Sequence, residues 1–118
     1  MKKILVVDDD TDILSLVKTM LTMHNFNVDA ISKWENISDR LAVFEPDLIL
    51  LDITLVGADG RLICKELKQS KNSGHIPVIL FSANSEMGNN YQEYHAEDFI
   101  AKPFEMSHLV KTIQHYVN

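Results

Sequence analysis

The sequence has 118 residues, 46% of them hydrophobic and 24% charged, the balance of one folded domain with a real core rather than of a disordered tail. Acidic residues outnumber basic ones 17 to 11, and the net charge of −6 speaks against an electrostatically driven nucleic-acid partner and favours cations. A single cysteine, Cys64, excludes an internal disulfide, and the first apolar run breaks after Val7, too short for a signal peptide or a membrane span, so a cytoplasmic location is the default expectation.

Ile4 to Val7 reads as a first strand, and "DDDTD" follows it. Asp10 suits a helix N-cap and Asp12 an acidic first turn, ahead of a helix over 11–24 with Ile13, Leu16, Val17, Met20 and Leu21 on one face. Asp8 and Asp9 stand too early for capping. Val28 to Ile31 is a second strand. Trp34, Ile37, Leu41 and Phe44 mark a helix over 33–45, with Trp34 half-buried on it. Leu48 to Leu51 is a third strand, and Ile63 and Leu67 mark a third helix on which Cys64 reads as a small core residue. After a fourth strand, Val78 to Phe81, the residues Met87, Tyr91 and Tyr94 fall at helical spacing. Gly88, Asn89 and Asn90 are poor helix formers, so this fourth helix is expected short or frayed. Phe99 to Ala101 is the fifth strand. The last helix carries Met106, Leu109, Val110, Ile113 and Tyr116 inward and leaves His108 and His115 on the surface.

Five alternations of strand and helix imply one α/β domain, residues 1–118, with right-handed crossovers, helices on both faces and three middle strands buried on both sides. Ligands of such sheets bind beyond the carboxyl ends of the strands. One step past each run stand Asp8 and Asp9, Asp52, Ser82 and Lys102. Three carboxylates gathered there raise one another's pKa unless a cation joins them, and an all-oxygen set without His or Cys suits Mg²⁺ better than zinc. Lys102 and Ser82 would face the open side of that ion, where a phosphoryl group can be neutralised, and Asp52 is placed to be a carboxylate nucleophile.

The stretches "ILVVDDD", "DLILLDITLVGADG", "PVILFSAN" and "DFIAKPF" together resemble the receiver domain of two-component response regulators, the CheY-like family, over the whole chain. The resemblance implies a flavodoxin-like (βα)5 three-layer fold with a five-stranded parallel sheet of order 2-1-3-4-5. It implies Asp52 as phosphoacceptor, Mg²⁺ (with Mn²⁺ as substitute) held by Asp9, Asp52 and the Thr54 backbone carbonyl, and Asp8 acting through water. Lys102 would contact the phosphoryl oxygens, Ser82 would swing toward them and Phe99 would turn as the aromatic switch. The Lys102–Pro103 bond is expected cis. The implied donor is a sensor histidine kinase or histidine phosphotransfer protein and the output a downstream protein target, with no direct nucleic acid or membrane binding. The domain would be no enzyme beyond assisting its own phosphorylation and dephosphorylation, either stand-alone or a piece of a longer regulator.

Some positions depart from the family pattern. Val56 stands where many members have Pro, His95-Ala96 where many have Gly-Ala, and the segment 82–102 is short. Thr54 and Asn84 fall where the family tunes phosphoryl lifetime. An EF-hand is excluded, because Ile13 replaces the loop Gly and Thr19 the bidentate Glu. A haloacid-dehalogenase-type phosphatase would need its nucleophile in the first acidic cluster and a larger core. A flavodoxin would need a phosphate loop that this acidic turn replaces. A pseudo-receiver, a module that is never phosphorylated, is opposed by the intact Asp9, Asp52, Ser82 and Lys102.

Overall fold

Every apolar run of the sequence is a strand of one parallel sheet in the computed structural model, which describes residues 1–117. In chain order the elements are β1 (Lys3–Val7), α1 (Thr11–Met23), β2 (Asn27–Ile31), α2 (Ile37–Phe44), β3 (Leu48–Asp52), β4 (Thr54–Leu55), β5 (Ala58–Asp59), α3 (Gly60–Gln69), β6 (Val78–Ser82), α4 (Ser85–Gly88), β7 (Asp98–Ala101) and α5 (Met106–Val117). The sheet runs β2-β1-β3-β6-β7, all parallel, and β4 and β5 form a separate antiparallel hairpin. With that hairpin set aside, the order is the expected 2-1-3-4-5.

The three central strands carry apolar residues on both faces because helices cover both. Ile4 to Val7, Leu48 to Leu51 and Val78 to Phe81 are all 0% exposed. Alternate residues serve opposite layers: Ile4, Val6, Leu50, Ile79 and Phe81 pack with α1 and α5, while Leu5, Val7, Ile49, Leu51 and Leu80 pack with Ile37 of α2 and Cys64 of α3. Among the described residues no helix is long and apolar enough to cross a membrane.

Two local features differ from the sequence reading, and a third follows it. On α1 the buried stripe is Leu14, Val17, Met20 and Leu21, whereas Leu16 is 57% exposed. Asp10 sets the start of that helix, its carboxylate accepting from the Asp12 and Ile13 amides, and this phase turns Leu16 two residues, about 200°, away from Leu14. The second helix begins at Ile37, and residues 34–36 form a 3₁₀ turn instead. Trp34, half-buried as expected, therefore sits on that turn, and its Nε1 donates to the Val56 carbonyl at 3.1 Å. The fourth helix is a single turn, Ser85–Gly88, followed by a 3₁₀ turn over Tyr91–Tyr94 that ends on His95 at φ +64°. The expected shortness follows from the Gly-Asn-Asn run.

Candidate functional site

β1, β3 and β6 stop at the same level, so the residues that end or follow them open onto one cleft of about 360 Å³, lined by Asp8, Asp9, Asp52, Thr54, Ser82 and Lys102 among others. Asp8 and Lys102, 94 positions apart in the chain, meet there: the Lys102 ammonium donates to Asp8 Oδ2 at 2.8 Å and lies 3.5 Å from Asp52 Oδ2. Its Nζ also lies over the Phe81 ring, 4.4 Å from the ring centroid. The lysine is held from below as well. Its backbone amide bonds the Ser82 carbonyl at 2.8 Å, and the following Lys102–Pro103 bond is cis, as expected.

Asp8 is 1% and Asp52 5% exposed, so one ammonium answers two buried carboxylates. Asp8 Oδ1 accepts from the Asp10 amide and Asp52 Oδ1 from the Thr54 amide at 3.3 Å. Burial first, and then the negative charge of Asp8, pushes the Asp52 carboxyl up from 3.8 to about 7, against the downward pull of Lys102 and the Thr54 amide. In the bare fold, then, Asp52 is poised near neutrality between its two charge states.

Ser82 ends β6 with its hydroxyl buried in the cleft, where Oγ accepts from the Asn84 amide at 3.0 Å. Asn84 in turn caps the one-turn α4 by accepting from the Glu86 amide. Phe99 lies on the neighbouring strand β7, and its ring rests directly on Gly88: a Cβ added there would stand 2.3 Å from ring carbons. Asp9 does not join the other acids. Its Oδ2 accepts from the Val56 amide in the turn of the β4–β5 hairpin, and among the described residues no three His, Cys, Asp or Glu side chains gather closely enough to hold an ion.

The structure thus brings Asp8, Asp52, Ser82 and Lys102 together as the strand-end reading expects, and it turns Asp9 aside. The sequence reading missed two contributors, the Val56 amide and the Gly88 notch. A Val in a turn and a Gly in a weak helix carried the only signals. Cys64 is wholly buried, with its thiol pushed up to about 12 mainly by burial, and it takes no part.

A family model described as the response regulator receiver domain matches residues 4–114. The chain belongs to that family. The receiver-domain assignment agrees with its relatives. The DNA-binding dual master transcriptional regulator RpaA of Synechocystis is 31% identical over 97% of this chain and 48% of its own length. This receiver domain therefore spans about half the length of the curated relatives it matches. Among solved structures, the BeF3-activated N-terminal receiver domain of Klebsiella pneumoniae RstA is 27% identical, covering 99% of both chains with a TM-score of 0.88. The receiver domain of the sensor histidine kinase PA1611 of Pseudomonas aeruginosa has a magnesium ion coordinated in its active site cleft. It shares the fold at 24% identity and a TM-score of 0.88, over 98% of this chain and 97% of its own.

Proposed function

We propose that Asp52 accepts a phosphoryl group from a phosphohistidine of a sensor histidine kinase or a histidine phosphotransfer protein, and that the domain passes the change to a downstream protein target. The observation that carries this reading is Asp52 itself: a buried carboxyl at a strand end, opening on a cleft, with a lysine ammonium 3.5 Å away and a hydroxyl on the next strand. In the transfer a carboxylate oxygen of Asp52 bonds to phosphorus as the P–N bond breaks, and the histidine nitrogen leaves with its electron pair and takes up a proton. Lys102 neutralises charge on the transferring oxygens, and Ser82 offers them a hydroxyl once its bond from the Asn84 amide is exchanged. Phe99, beside Ser82's neighbour Ala101 on β7, is the ring whose position would report the change.

By donor chemistry the residues fit a hard divalent cation, although the bare fold does not gather them around one: the carboxylate of Asp9, once it leaves the Val56 amide, with that of Asp52, the Thr54 carbonyl, and Asp8 through water, with no His or Cys. Mg²⁺, or Mn²⁺ in its place, would supply the positive charge that keeps these acids ionised together and offsets the phosphoryl oxygens. The magnesium in the cleft of the PA1611 receiver domain supports this assignment. We further read the chain as one cytoplasmic domain whose own surface, at net charge −6, does not bind nucleic acid. Its chemistry is confined to its own phosphorylation and dephosphorylation. The test is incubation with Mg²⁺ and either acetyl phosphate or a phosphorylated histidine phosphotransfer protein, followed by borohydride trapping and peptide mass spectrometry. Label on Asp52, absent from Asp52→Asn, supports the assignment; label retained in that variant overturns it, and no label on the natural chain from either donor class makes the domain an unphosphorylated interaction module.

A further inference from the structure

We propose that the backbone amide of Val56 is a latch that competes with the divalent cation for the Asp9 carboxylate, with the Trp34 indole steadying the latch. The proposal rests on the reading of Asp9 as a metal ligand. Its basis is a short run of contacts. Val56 N–H donates to Asp9 Oδ2, and the carbonyl of the same residue accepts from Trp34 Nε1 at 3.1 Å, so residue 56 is pinned on both sides of its Cα. These two bonds and the hairpin backbone hold it there, because the Val56 side chain is 78% exposed and buries almost nothing.

The hairpin around the latch is well defined. Thr54 pairs with Asp59 and Leu55 with Ala58, which leaves Val56 and Gly57 as the two turn residues. Gly57 has φ +78°, the value that a type II turn requires at its third position. Val56 therefore holds the second position of that turn, where proline is readily accommodated, and Leu55 before it is extended, as a residue preceding proline must be. A proline at 56 would keep the turn and delete the amide donor that reaches Asp9.

A carboxylate oxygen that accepts an amide N–H must give up that bond before it can face an ion. The latch therefore lowers the affinity for the cation by the strength of one charge-assisted hydrogen bond at an exposed site, roughly threefold to tenfold. Once released, the amide is free to bond water, since the turn stands at the surface. Cation binding would then loosen residue 56 and, through its carbonyl, the bond to Trp34. That indole is the only tryptophan of the chain, which makes it a built-in reporter.

The test is titration with Mg²⁺ alone, followed by calorimetry and by Trp34 emission, on the full chain and four variants. Val56→Pro should bind Mg²⁺ roughly threefold to tenfold more tightly, whereas Val56→Ala, which keeps the N–H, should match the natural chain. Trp34→Phe, read by calorimetry, should shift affinity in the same direction by less, and it carries the test if Val56→Pro does not fold. Asp9→Asn should bind far more weakly. Weak binding by Asp9→Asn with no tightening in Val56→Pro, or in Trp34→Phe if the proline variant is unfolded, overturns the latch and leaves Asp9 a ligand. Unchanged binding by Asp9→Asn overturns the ligand reading beneath it.

Discussion

Asp52→Asn should make the metal-free domain more stable at and above neutral pH. The carboxyl titrates near 7 in the fold against 3.8 ordinarily, so the folded chain binds that proton more tightly than the unfolded one. The sign follows directly. The stability this group lends is complete below about 3.8 and is lost as the pH rises through about 7. At roughly 1.4 kcal/mol for each pH unit between those values, the loss reaches about 4 kcal/mol. The pull of Lys102 is already contained in that value; relaxation and water penetration around a buried charge reduce the figure, and a net gain of about 2–3 kcal/mol is the expected outcome, roughly 10 °C in Tm for a domain of this size. The assay is urea unfolding of both proteins in EDTA across pH 5 to 8. The variant should lead at pH 8 and its margin should shrink steadily toward pH 5. Equal stability at pH 8, or a margin that ignores pH, would refute the burial-and-repulsion account of Asp52.

Gly88→Ala should either displace the Phe99 ring or cost about 1–3 kcal/mol, because the added methyl overlaps ring carbons at 2.3 Å; the urea midpoint and the Phe99 ring proton shifts distinguish these from the natural chain, and no change in either contradicts the notch. Cys64, 0% exposed with its thiol near 12, should react with a disulfide reagent at pH 8 only as fast as the domain unfolds, so the labelling rate should track urea; prompt labelling in buffer would show that α3 opens locally.

What could be read from the chain alone was set by how directly a residue's position follows from an element's end. Asp8, Asp52, Ser82 and Lys102 each lie at the tip of a strand whose apolar run is unmistakable, and parallel pairing then fixes that they share an edge. The phase of α1 was harder, since Ile13, Leu14, Leu16 and Val17 are all apolar and only the capping geometry of Asp10 decides that Leu14 turns inward. The start of the second helix was hidden for a related reason: Trp34 keeps helical spacing with Ile37 and Leu41, yet its indole is spent on the Val56 carbonyl across the molecule. Asp9 depended on a hairpin of two-residue strands, and no periodicity announces an element so short.

Consider the strands β1 and β3 again, apolar on both sides and sealed between two layers of helices. A strand that alternates oily and polar residues is fixed in its pairing, because a slip of one place would drown its oily face in water. These strands lack that safeguard, since either face suits either layer. Their alignment is instead defended at the tips. Sliding β1 one place deeper along β3 would drag Asp8 off its lysine and into hydrocarbon, and sliding β3 would do the same to Asp52. The acids that charge the cleft are also the stops that keep the strands from creeping, so a lineage that traded them for neutral residues would give up two things at once, its chemistry and its guard against misthreading.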